Sequence, residues 1–157
     1  MAIEKVKAYF RQYKMEDRVR EFGVSSETVE LAAQALGCEP MRIAKSLSFL
    51  VEDTPILIVA AGDAKVDNAK YKAKFDKKAK MISSDMVGEL IGHEVGGVCP
   101  FAVNEGVKVY LDESLKRFET VFPAAGSGNS CIELTIAELE QSAKPEEWVD
   151  VCKGWKN

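Results

Sequence analysis

The 157-residue sequence contains a single histidine, and its four cysteines include no CxxC pair. Cysteines at 38, 99, 131 and 152 with one histidine cannot supply the closely spaced ligands of a structural zinc site, so no metal is expected. No apolar run approaches the ~18 residues of a membrane span, and Met1 to Lys5 lead straight into charged helical pattern without a signal core. The expectation is a soluble, cytoplasmic protein with free thiols, no membrane partner and no disulfide framework. There is also no basic excess: 21 Lys and Arg face 25 Asp and Glu, a net charge of −4. That balance argues against coating DNA by bulk electrostatics. Walker, Rossmann and EF-hand signatures are missing, so no cofactor is expected, and no serine sits in a G-x-S-x-G elbow.

What is present is ordinary globular material, 46% apolar and 29% charged. With no repeat or linker, the chain is expected to be one domain over residues 1–157. Ile3, Val6, Phe10 and Tyr13 recur at helical spacing, and a second helix should run from Ser26 to a stop at Gly37. Residues 43–51 alternate like a strand, and 55–61 are apolar on both faces, which suits a central strand. A short helix over 66–75, a strand near 79–83 and a helix capped by Ser84 should follow. Beyond the glycine-rich loop 92–101, strands are predicted over 107–111, 119–124 and 131–134. Thr135-x-x-Glu138 is a capping box opening a further helix, and 146–151 suggests a last helical turn. The expected fold is α/β with mixed α+β character: a mixed, partly barrel-like sheet with helices outside.

Lys45 is the sharpest anomaly. On a strand it shares a face with Ile43, Leu47, Phe49 and Val51, and a buried amine is costly without a partner. It either meets a ligand oxygen or phosphate, or lies at the strand end and reaches water. The second feature is the loop Gly92-His93-Glu94-Val95-Gly96-Gly97-Val98-Cys99-Pro100-Phe101. Its glycines permit close backbone approach, and such a loop can aim amides at a carbonyl oxygen; the alternative is a tight structural turn. Gly126-Ser127-Gly128-Asn129 has the same two readings. His93 and Cys99 share one loop, yet no third residue is identifiable to orient them as base and nucleophile. Between Lys65 and Lys80, seven lysines against two acids give a local net charge of +5. That segment is either a phosphate-backbone contact or a solvated face.

Ile43-Ala44-Lys45-Ser46-Leu47, ILIVAAGDAKVD (56–67), GHEVGGVCPF (92–101), VYLDESL (109–115) and AAGSGNSCIEL (124–134) occur in an order that resembles the YbaK/EbsC family. These proteins are stand-alone relatives of the editing domain inserted in bacterial prolyl-tRNA synthetases. The resemblance covers most of the chain, and the lysine strand with the GxxxP-type loop 96–100 is its most specific part. It implies a trans-acting deacylase that hydrolyses mischarged aminoacyl-tRNA, with tRNA-Pro carrying Cys, Ala or another small residue as substrate. Prolyl-tRNA synthetase is then a possible partner. Lys45 matches the family's functional lysine near the terminal adenosine. Gly96, Gly97, Val98, Cys99 and Pro100, with His93 beside them, match the loop that holds the aminoacyl carbonyl. Gly126, Ser127 and Gly128 match the glycine turn of the same pocket. Lys70, Lys72 and Lys74 are the candidate acceptor-stem contacts. The cysteine-editing branch carries an Asp ahead of Ile-Glu-Leu where this chain has Cys131, so alanine, serine and cysteine all stay open. A non-catalytic nucleotide- or aminoacyl-binding module of the same fold is the alternative, and an esterase using Cys99 is a weaker third.

Overall fold

A computed structural model describes residues 2–155. The chain runs α1 (Ala2–Arg11), β1 (Arg20–Glu21), α2 (Val29–Leu36), β2 (Ile43–Val51), β3 (Thr54–Ala61), β4 (Lys65–Val66) and α3 (Asn68–Phe75). It continues through α4 (Ser84–Ile91), β5 (Lys108–Asp112), β6 (Thr120–Pro123), β7 (Ser130–Cys131), β8 (Leu134–Thr135), α5 (Ile136–Ala143), β9 (Glu147–Val149) and β10 (Cys152–Lys153). Six strands form one mixed sheet in the order β8-β6-β2-β3-β5-β9, curled into a half-barrel, as the sequence pattern suggested. β2 and β3 are antiparallel and in full register, whereas β3–β5, β5–β9 and β2–β6 are parallel.

Strand alternation divides the core. Leu57, Val59 and Ala61 of β3 face one side, where Val6 and Phe10 of α1, Val87 and Ile91 of α4 and Leu139 of α5 pack on them. Ile56, Ile58 and Ala60 face the other side, against Phe49, Tyr71 of α3 and the C-terminal residues Val149, Val151 and Cys152. This explains why β3 is apolar on both faces: all of Ile56 to Ala61 is buried. A smaller cluster seats Ala32 and Ala33 of α2 on Ile43, Phe122 and Cys131.

Caps fix the helix starts. Thr28 Oγ1 accepts from Leu31 N (3.1 Å), so α2 begins after residue 28 rather than at Ser26. Asp67 Oδ1 accepts from Ala69 and Lys70 N–H and opens α3, because Lys65 and Val66 are held in a ladder with β10. The expected capping box Thr135–Glu138 forms in full. At α4 the N-cap is Ser83, not Ser84, and its hydroxyl makes no capping bond.

Three segments differ from the sequence reading, the first being the strand expected over 131–134, which is split so that Ser130–Cys131 pairs with β1 and Leu134–Thr135 with β6. Residues 79–83 do not build a regular strand: one isolated bridge joins Met81 to Phe49 before the chain turns into α4, leaving no length for a ladder. The segment 146–151 is not a helical turn but contains β9, which covers the open edge of β5. Glu146 N–H donates to the Val109 carbonyl (2.7 Å), and buried Asp112 accepts from Ser114 N (2.9 Å) and Val151 N (3.0 Å). Pairing across the sheet overrides a weak local helical pattern there.

Candidate active site

The site begins with a gap in the sheet. β2 pairs with β6 only at Ile43 and Ala44. Farther on, Ile82 N–H donates to the Ser48 carbonyl (3.1 Å) and Leu50 N–H to the Lys80 carbonyl (2.9 Å). Backbone groups alternate along a strand, so the N–H and C=O of Ser46 point to the same edge as those of Ser48 and Leu50. Neither β6 nor the 80–82 segment covers that edge at Ser46. The Ser46 hydroxyl is also buried without a hydrogen-bond partner among the described residues. β2 therefore carries an unpaired stretch in the middle of an otherwise completed edge.

A cavity of about 310 Å³ opens at this gap, within the range of small-ligand sites. Its walls come from β2, from α2 and the segment before it, from α4, from the loop at Val95, Gly96 and Val98, and from Ser130 and Cys131. Among the described residues lining it, Lys45 and Glu27 are the two charged side chains. Lys45 is half-buried; its ammonium lies 3.5 Å from the Gly62 carbonyl, and burial pushes its pKa below the usual lysine value. Gly62 must be glycine, since a Cβ there would lie 2.1 Å from the Pro40 carbonyl oxygen.

The loop 92–101 has an inner and an outer side. Inside, His93, Cys99 and Phe101 are almost fully buried. His93 Nε2 lies 2.6 Å from the Phe101 carbonyl, which can only accept, so Nε2 carries the proton. Cys99 Sγ sits 3.5 Å from that same nitrogen, which consequently has no lone pair to take the thiol proton. Burial pushes the Cys99 thiol up to about 12 and pushes His93 down, so both are neutral at physiological pH. These two residues and buried Pro100 are not among the cavity lining; they anchor the loop from behind.

Outside, Val95, Gly96 and Val98 face the cavity. Gly97 N–H donates to the Glu94 carbonyl (3.0 Å), whereas among the described residues the N–H groups of Gly96, Val98 and Cys99 have no partner. Gly97 packs on the second glycine loop: a Cβ on it would lie 2.6 Å from Ser127 N and 2.7 Å from Gly126 C. That loop is in turn tied to the segment before α2, through Ser26 N–H to the Gly128 carbonyl (2.7 Å) and Asn129 Nδ2 to the Phe22 carbonyl (2.9 Å). Gly126, Ser127 and Gly128 thus buttress the wall, while Ser130 and Cys131 after them line it.

No residue of the lysine-rich segment 65–80 is in the cavity lining. Lys70 pairs with Asp150 (3.0 Å) and Lys74 with Glu147 (2.6 Å), whereas Lys72 is exposed with no ion pair among the described residues. No group of three or more His, Cys, Asp or Glu residues is arranged to hold a metal among the described residues. No helix there is long and apolar enough to cross a membrane. Sequence reasoning singled out Lys45 and both glycine loops but passed over Ser46, the open edge beside it and the position of Glu27. The edge has no local sequence signal, because it depends on where β6 stops and residues 80–82 begin.

The aminoacyl-tRNA editing domain profile matches residues 24–141, three quarters of the chain and every segment that lines the cavity. The chain belongs to the aminoacyl-tRNA editing domain family. The uncharacterised protein YwhH of Bacillus subtilis (strain 168) is 54% identical over 157 residues, covering 99% of this chain and 100% of that protein. The proline–tRNA ligase of Lactobacillus helveticus (strain DPC 4571) is 28% identical over 127 residues, 80% of this chain. This chain spans only 22% of that ligase's length. A solved structure proposed as a trans-editing enzyme for prolyl tRNA synthetase superposes with a TM-score of 0.87 at 28% identity, covering 98% of each chain. The mixed half-barrel fold is thus shared with that solved structure.

Proposed function

We propose that this protein is a trans-acting deacylase that hydrolyses the ester of mischarged aminoacyl-tRNA, with tRNA-Pro carrying a small amino acid as the first substrate to test. The observation that carries this reading is that one cavity is lined by Lys45 and by Gly96 and Val98, whose amides have no partner among the described residues, while His93 and Cys99 lie outside its lining. The family membership and the likeness to the proposed trans-editing enzyme support it.

In the proposed mechanism the Gly96 and Val98 N–H groups stabilise negative charge on the carbonyl oxygen as the tetrahedral intermediate forms. Gly97 cannot serve in that role, since its N–H is already held by Glu94. Its contribution is to lock the loop against Gly126 and Ser127. Lys45 receives the ribose–phosphate end of the terminal adenosine. A water oriented by the substrate's neighbouring ribose hydroxyl attacks the carbonyl carbon, the ester C–O bond breaks, and a proton passes to the departing ribose oxygen. The products are the free amino acid and uncharged tRNA. Lys70, Lys72 and Lys74 are proposed to approach the acceptor stem, and of these three Lys72 has no ion pair among the described residues.

The test is deacylation of tRNA-Pro charged with Ala, Cys, Ser or Pro, by wild type and by Lys45→Ala. Selective release that depends on Lys45 is expected. Release that survives Lys45→Ala would remove the lysine from the mechanism. No release from any substrate would favour a non-catalytic binding module of the same fold.

A further inference from the structure

Among the described residues Glu27 is the one carboxylate in the cavity lining, and it lies close to Gly96 and Gly128 of the two glycine loops. A Cβ on Gly96 would lie 2.9 Å from Glu27 Oε1, and a Cβ on Gly128 would lie 2.6 Å from the same atom. The absence of side chains at both positions leaves the room this carboxylate fills. Gly96 also has φ +95°, a backbone region that L side chains rarely adopt.

An acidic residue just ahead of a helix ordinarily serves the helix N-terminus. Here Thr28 Oγ1, not Glu27, caps the helix by accepting from Leu31 N (3.1 Å), and the first intrahelical bond runs from Ala32 N–H to the Thr28 carbonyl (2.9 Å). Glu27 makes no hydrogen bond or ion pair through its carboxylate among the described residues. Lys45, the other charge in the lining, has the Gly62 carbonyl as its hydrogen-bond partner. Glu27 is thus an exposed carboxylate in the cavity lining, packed close to Gly96, whose amide has no partner, and it has no protein cation paired to it among the described residues. A ligand bound through its carbonyl at that amide would bring its α-substituents against Glu27.

We infer that Glu27 is a specificity-determining residue that binds the α-ammonium group of an aminoacyl ligand, so that the cavity selects acyl groups carrying a free α-amine. This rests on the aminoacyl-ester reading of the site, and it names the part of the substrate that reading leaves without a partner. Lys45 and Glu27 then divide the ligand, with the phosphate-bearing end at the cation and the ammonium at the carboxylate.

Binding is measured with non-hydrolysable 3′-(aminoacylamino)-3′-deoxyadenosines bearing L-alanyl, L-seryl or L-cysteinyl groups, each with a free and with an N-acetylated amine. Hydrolysis of the corresponding aminoacyl-tRNAs is followed separately. Wild type should bind the free-amine form of at least one probe about ten- to a hundredfold more tightly than its N-acetyl form, the scale of a charged hydrogen bond. Glu27→Gln should bind both forms alike, at the affinity wild type shows for the acetylated probe, with an unchanged melting temperature. A Glu27→Gln protein that keeps the preference overturns the inference even if wild type hydrolyses aminoacyl-tRNA. A wild type that binds no probe in either form overturns it as well. Glu27-dependent preference in a protein that releases no amino acid upholds the inference and overturns the deacylase reading.

Discussion

The lysine-rich segment 65–80 and the loop 92–101 both stand out in sequence, one for charge density and the other for glycine, and the fold treats them in opposite ways. In the first, ammonium groups find acids from distant parts of the chain: Lys70 meets Asp150, Lys74 meets Glu147 and Lys77 meets Glu52. In the second, Gly96 and Val98 are left with unpaired amides beside a cavity, while His93 and Cys99 complete the core behind them. A group available for a ligand is one the fold has not already satisfied. Three of the seven lysines are engaged in this way, and Lys65, Lys72, Lys78 and Lys80 have no ion pair among the described residues.

The largest expected effect concerns Lys45. Lys45→Met should lower deacylation by at least about a hundredfold, the scale of losing one positioned electrostatic group. It should leave the melting temperature unchanged or raised, because burial disfavours the ammonium in the folded state. The lowered folded pKa means that the unfolded chain binds more protons between that pKa and the usual lysine value. Wild type therefore gains stability as pH rises through that window, and any advantage of Lys45→Met narrows there, as pH-dependent thermal melts would show. A variant less stable at neutral pH would make Lys45 a structural residue.

Gly97→Ala comes next. Its methyl would press on Ser127 N and the Gly126 backbone, which cannot withdraw as a flexible side chain could. A loss of about 1–3 kcal/mol in denaturant unfolding is expected, with about tenfold slower deacylation as the loop is pushed off its buttress. Full activity would show that the contact between the two glycine loops does not shape the site.

The lysines should divide more finely. Lys72→Ala is expected to weaken tRNA binding a few-fold and to reduce the salt slope by about 1, with Lys70→Ala and Lys74→Ala each doing less. Equal effects from all three would mean that tRNA competes successfully with Asp150 and Glu147. The smallest effect is expected at Cys99. Cys99→Ala should keep kcat and KM for deacylation near wild type while lowering stability by about 1 kcal/mol, and the native thiol should resist alkylation. Inactivation by alkylation of the folded protein would revive a cysteine nucleophile.

Much of the fold is legible because its signals are local. The alternation of 43–51, the two-sided apolar run 55–61 and the Thr135–Glu138 capping box each dictate an element without reference to the rest of the chain. Residues 79–83 and 146–151 were misleading because their conformation is decided by partners far away in sequence. Of the five two-residue strands, β1, β4 and β10 have no periodicity to reveal them; β1 exists by pairing with β7 and β4 by pairing with β10, while β7 and β8 fall at the ends of the expected strand 131–134.

The site divides in the same way. Residue type and spacing sufficed to single out Lys45 and the two glycine loops, because an amine on an apolar strand face and a glycine pair before proline are chemically unusual wherever they fall. Which side of the loop each residue takes, which amides stay unpaired, where β2 is left open and where Glu27 lies are matters of tertiary structure. Hydrogen bonds and close contacts are satisfied or left open by groups brought together across the whole chain, and the order of residues along it does not record that.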